Sequence, residues 1–265
     1  MSDRPTFSAS DLKKLLATKS SPENVVKLCY SQREVYIKPI KIKDKKEILK
    51  SIETKNEVVI NKAFDDILEK FVEAVDGQEF TIGELTTQER QQLLVHIKVA
   101  ASGTNANIMH ECPACGDVNQ NIKYDLSKMY VKNYVKPETG EEIIISTLSG
   151  TIKVKLGPVT RNKEIEIENY IKRNKITQTT EKNFVMMAAA IKSISIVQDD
   201  IENEVSMSMA ELIDIFDSLP ENELEKIMNY FKSSDFGAKM PFDFKCQKCG
   251  HESEQEVNVI AFFIN

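Results

Sequence analysis

The chain has 265 residues, enough to bury a hydrophobic core in one large domain or two modest ones. It is 41% hydrophobic and 29% charged, which excludes long disorder, and a net charge of −6 argues against a general nucleic-acid binder, which needs a basic excess. Glycine is sparse and no phosphate-cradling Gly-rich run occurs, no apolar stretch approaches the roughly 20 residues that span a bilayer, and the start "MSDRPTFSASDLKK" has no signal-peptide core, so a soluble, intracellular protein is expected.

In chain order, Ser10 and "DLKKLLATK" read as a short amphipathic helix with Leu12, Leu15 and Leu16 on one face. "EVYIKPIKIK" alternates apolar Val35, Ile37, Ile40 and Ile42 with lysines, and Pro39 makes it an edge or bulged strand. The lysines there read as its solvated face, where they block unwanted pairing. "KDKKEILKSIE" then reads as a helix. "NKAFDDILEKFVEAV" reads as another, with Phe64, Ile67, Leu68, Phe71, Val72 and Val75 on one stripe. A third is capped at Thr86 or Thr87, carries Leu93, Leu94, Ile97 and Ala101, and stops at Ser102-Gly103. "DVNQNIKYDL" is a strand. A hairpin follows, with arms Glu142 to Thr147 and Thr151 to Leu156 about a turn at Leu148-Ser149-Gly150. Helices resume over about residues 162–173 and 181–196. Two capping boxes, Ser208 with Glu211 and Ser218 with Glu221, announce helices over 209–217 and 220–232. The chain then turns extended at "MPFDFKC".

Four of the five cysteines form two copies of one device. "ECPACGD" carries Cys112 and Cys115 ahead of Gly116, and "KCQKCGH" carries Cys246 and Cys249 ahead of Gly250. A Cys-x-x-Cys turn offers two thiolates from one tight loop, and two such turns complete the tetrahedral set that zinc takes. Glycine tolerates the positive φ that lets backbone N–H groups turn toward the sulfurs. Each turn lies between extended segments, which makes each a hairpin of a zinc ribbon rather than a redox motif opening a helix. Residues 116–245 separate the two halves, so the metal clasps a whole subdomain. A closed four-sulfur set leaves no position for catalytic water, so the zinc is read as structural. His110 and His251 are read as neighbours of the site and Cys29 as a buried thiol.

Elsewhere the chemistry is bland. No GxSxG, HExxH or kinase-type set occurs. Met186, Met187, Met207 and Met209 read as core and cap residues. The apolar end "VNVIAFFIN" must dock on the protein's own ribbon or on a partner.

The strand "YIKPIKIKDKKEIL", the acidic, aromatic-rich helix "AFDDILEKFVEAV" and "IGELTTQERQQLLVHIKVAASG" running into "HECPACG" together resemble the baseplate hub protein family of T-even-type tailed bacteriophages, which contains a hub subunit and a hub assembly factor. The likeness covers about residues 33–126 and the second turn "CQKCG". It implies a non-enzymatic structural or assembly protein of the tail baseplate hub. Such a protein acts by contacts with other hub and tail proteins, without nucleic acid or a membrane span. It works in the host cytoplasm during assembly or in the virion tail baseplate. The fold expected is α+β: a mainly helical chain with a split four-cysteine zinc ribbon whose two hairpins flank a long helical insert with one β-hairpin. Its expected parts are a helical region over 1–110 with one edge strand, the ribbon over 111–126 plus 241–265, and the insert over 127–240. The competing readings are a zinc-ribbon regulator that binds nucleic acid and a metal-dependent enzyme with an open coordination position.

Overall fold

The computed structural model describes residues 25–257, apart from 39–42, 45, 47–49, 51–56, 76, 78, 138–139, 148–149, 200 and 234. The helix expected after Ser10, the residues Ile40, Ile42, Ile48, Leu49 and Ile52, and the apolar stretch after Val257 lie outside the described residues. Lys43, Asp44, Lys46 and Lys50 are helical, as the sequence there suggests.

The first core forms where short β-branched runs meet two helices. Strands β1 (Val25–Lys27), β2 (Glu34–Ile37) and β3 (Val72–Ala74) make an antiparallel sheet in that order. Helices α1 (Glu57–Phe71) and α2 (Thr87–Ser102) supply the rest. Val35 and Ile37 point inward with Phe64, Ile67, Leu68 and Phe71, each burial contributing about 1.5–3 kcal/mol. Two expectations change here. The strand ahead of Pro39 is the middle of its sheet rather than an edge, since β2 ends at Ile37 and pairs with both β1 and β3. The helix expected to run through Val75 stops at Phe71, because Val72–Ala74 pairs with β2; Val72 is buried in that strand and Val75 is exposed. Tertiary pairing has overridden a local helical stripe.

Helix α2 starts on a full capping box, Thr86 with Glu89, and ends on Gly103. It is buried on several sides. Glu89 accepts from the backbone N–H groups of Tyr30 and Ser31, at 3.3 and 2.7 Å. Gln92 accepts from Cys29 N–H and donates to the Lys27 carbonyl. These two side chains satisfy the turn after β1, which would otherwise bury unpaired main-chain groups.

Beyond the first cysteine turn, β6 (Tyr130–Lys132) leads into the insert, and β11 (Gly237–Lys239) leads out of it. The two pair antiparallel, so the chain leaves and returns along one seam. Inside lies an antiparallel sheet of β7 (Glu142–Thr147), β8 (Gly150–Leu156), β9 (Ile191–Gln198) and β10 (Ile201–Val205), ordered β10-β9-β8-β7. Helices α3 (Arg161–Arg173), α4 (Thr179–Ala188), α5 (Met209–Asp217) and α6 (Glu221–Ser233) complete it. Ile143, Val154, Ile194, Leu212, Phe216 and Ile227 lie in a second core drawn wholly from this segment.

A buried ion cluster docks the insert on the first core. Arg90 of α2 pairs with Asp65 of α1 and Glu164 of α3, both at 2.7 Å. Arg161 reaches Asp65 at 2.8 Å, Glu168 at 3.1 Å and Glu164 at 3.2 Å. Both arginines are more than nine-tenths buried. A backbone bridge between Thr86 and Thr160 lies alongside.

The chain is therefore not mainly helical. Thirteen strands in five sheets stand beside six helices with complete bounds among the described residues. The insert carries a four-stranded sheet where one hairpin was expected. The helix expected over 181–196 ends at Ala188, and "IKSISIVQ" becomes β9 between β8 and β10. Its Ile191–Ile194 spacing mimics a helix, but its β-branched residues suit a central strand. The hairpin read from the sequence stands, with β7 and β8 paired from Glu142↔Lys155 to Thr147↔Gly150. Helix α5 has its capping box, whereas Ser218 donates back to the Asp214 carbonyl. Among the methionines, Met187, Met207 and Met209 pack on the second core and Met186 is exposed.

Candidate metal centre

Each cysteine turn is the bend of a two-stranded ribbon. The first joins β4 (Asn105–Glu111) to β5 (Val118–Asp125), and the second joins β12 (Pro241–Lys245) to β13 (Glu252–Glu256). The two bends share one set of main-chain bonds. Gly116 N–H donates to the Cys112 carbonyl at 2.9 Å, and Gly250 N–H donates to the Cys246 carbonyl at 3.0 Å. Cys112 N–H donates to Asp117 and Cys246 N–H to His251. The glycines sit at φ +68° and +73°, where a side chain would be strained.

The fold brings both bends together. The four Sγ atoms of Cys112, Cys115, Cys246 and Cys249 lie within 4.8 Å of one another. Cys112 faces Cys249 and Cys115 faces Cys246, each at 3.7 Å. That is far too long for disulfides, which need about 2.05 Å. Sulfurs held ~2.3 Å from one tetrahedral ion lie ~3.8 Å apart, so this spacing fits a single bound cation. Cys112 and Cys246 are buried, Cys115 and Cys249 exposed. The four cysteines could therefore hold a metal ion, a ligand set that neither histidine joins.

The thiols are electrostatically unequal. The Cys249 N–H is the main influence holding Cys246 down, at about 6, against desolvation and with help from the Asn119 amide. Cys115 feels the opposing pull of the Asp117 N–H, yet desolvation and the three surrounding thiols push it up to about 12. Cys29 sits fully buried away from the cluster, and burial, then the charge of Glu89, pushes it up to about 12.

Three contacts around the sulfurs were not read from the sequence. Asn119, 2% exposed on β5, donates to Cys246 Sγ at 3.6 Å and accepts from Gln247 N–H at 2.7 Å. One side chain of the first ribbon thus fastens the bend of the second. Lys248 pairs with Asp117 at 3.2 Å. His110 packs edge-on against Phe242 and Phe244, at ring separations of 5.4 and 4.6 Å. Its neighbour role was foreseen, but its aromatic partners lie in the other ribbon. The only hint of Asn119 was a polar residue in an otherwise ordinary strand, four positions past Cys115.

Ribbon and first core are continuous. Tyr124 of β5 is buried with Ile108, Val35 and Leu68, as are Leu126, Met240 and Val257, which border the two ribbons. Phe244 packs with Cys112 and Cys246. No helix among the described residues is long and apolar enough to cross a membrane.

The family profile described as T4 bacteriophage base plate protein matches residues 21–264, a span that includes the insert and both cysteine turns. No curated protein and no solved structure matches the chain.

Proposed function

Because this chain belongs to the T4 bacteriophage base plate protein family, whose members build a phage tail, we propose that it is a non-enzymatic structural or assembly subunit of the baseplate hub with zinc as its clasp. Other tail proteins are its partners. Cys112, Cys115, Cys246 and Cys249 are the ligands, and zinc is the ion their chemistry favours: four thiolates at tetrahedral spacing. The observation that carries the reading is this convergence of sulfurs from the two ends of residues 116–245, in a chain of baseplate ancestry. The clasp fixes the two ribbons so that the surfaces around them meet partners in one shape.

The working parts in this reading are residues 1–110, the ribbon over 111–126 with 241–265, and the insert over 127–240. The second core, drawn only from residues within the insert, supports that division. Assembly takes place in the host cytoplasm, and the finished site of action is the tail baseplate.

Two measurements test the reading. Metal analysis of untagged protein should find one zinc per chain. Tagged protein recovered from infected cells should bring tail components with it. Recovery of transcription machinery instead, or a salt-sensitive gel shift with nucleic acid, would overturn it in favour of a regulator.

A further inference from the structure

We infer that strand β7 is a pairing edge for a second copy of this chain, and that two copies join their four-stranded sheets across a twofold axis at Ile144. The insert sheet ends at β7 on one side and β10 on the other, and no described strand continues it. Leu156 N–H donates to the Glu141 carbonyl at 2.7 Å, which fixes the alternation of the ladder. Ile143, Ile145 and Thr147 turn their main-chain groups toward β8. Glu142, Ile144 and Ser146 turn theirs outward. All three outward residues are exposed, Ile144 at 54%.

An open edge of this kind is ordinarily blocked by lysine, proline, a bulge or inconvenient charge. Strand β7, "EIIIST", has no lysine and no proline, and its register with β8 is unbroken. Strand β10 is blocked. Its outward residues are Glu202 and Glu204, so antiparallel self-pairing about Glu202, Asn203 or Glu204 sets glutamate against glutamate.

The occupant follows from the register. Two β7 strands laid antiparallel about Ile144 use all three outward residues of each copy. Ile144 meets Ile144 on the exposed face, and Glu142 meets Ser146, so no like charges oppose. Residues of equal parity pair, which keeps both helix layers on the same side and makes one continuous sheet. Ile143 and Ile145 then meet beside the second core. Such an interface is isologous and closes at two copies.

Sedimentation of the full chain over a concentration series tests this. The wild type is expected to reach twice the 30.1 kDa of one chain. Ile144→Lys and Ile144→Glu should each sediment at half the wild-type mass with unchanged circular dichroism, since the side chain is exposed. Mixing the two variants should restore the doubled mass. A wild type that stays single throughout, a doubled mass that survives Ile144→Lys, or a mixture that stays single would each overturn the proposal. So would loss of pairing on Ile201→Lys at the other edge. None of these readouts depends on tail components, so failure here is distinct from failure of the baseplate reading.

Discussion

Asn119 shows how a single side chain can order the candidate metal centre from outside the set of four cysteines. Its amide donates to Cys246 Sγ while its oxygen holds the Gln247 N–H, so it orients both the sulfur and the bend that presents it. Groups that orient a ligand in this way typically change metal affinity 10–100-fold when removed. Asn119→Ala is therefore expected to weaken metal retention by roughly that factor while leaving the circular dichroism spectrum in place. A chelator-competition titration reads it, and unchanged retention would show the amide to be ornamental. The sequence marks the four cysteines far better than it marks this residue. Cys-x-x-Cys-Gly is a local pattern whose chemistry is written in its spacing. Asn119 matters only because the second ribbon folds against it.

Among the elements, α2 and α3 hold the molecule together through charge. Asp65 sits between Arg90 and Arg161 in a buried cluster. Removing one partner of such a set strands charge away from water and typically costs about 3–5 kcal/mol. Asp65→Ala should lower the urea midpoint accordingly, and joint replacement of Asp65, Arg90 and Arg161 by apolar residues should cost less than that single change. The seam of β6 and β11 carries a milder charge effect. Asp235 is held below the ordinary carboxylate range by Lys132 first and then Lys239. Its contribution is complete above that range and is lost as pH falls through its lowered value. Urea midpoints of the wild type and Asp235→Asn should therefore differ near neutrality and converge in acid. The gap should stay under about 1 kcal/mol, because the pair is half exposed. At this scale the helix signals were legible where a cap marked them, as at Thr86 and Ser208. They failed at Val72–Ala74 and Ile191–Gln198, where a neighbouring strand decides the conformation.

Over the whole molecule, a metal ion held by the four cysteines would join residues 112–115 to residues 246–249. A cross-link closing residues 116–245 is worth roughly 5 kcal/mol on a chain-entropy argument taken from disulfides. Stripping the metal with a strong chelator, or substituting Cys112→Ser, should lower the thermal midpoint and loosen amide protection in both ribbons first. The insert's own core is expected to persist longer, since it draws on none of the ribbon residues. Equal melting with and without metal would refute the clasp. By itself the sequence determined the four sulfurs, the hairpin of β7 and β8, the capped helices and the baseplate ancestry, because each is carried by residues close in the chain or by a pattern along it. Only the tertiary structure decided that β2 is a central strand, that two presumed helical stretches are strands, that Asn119 secures the sulfurs and that two arginines dock the insert. Those outcomes depend on which distant groups meet, and backbone pairing and buried charge take their free energy from that meeting rather than from local preference.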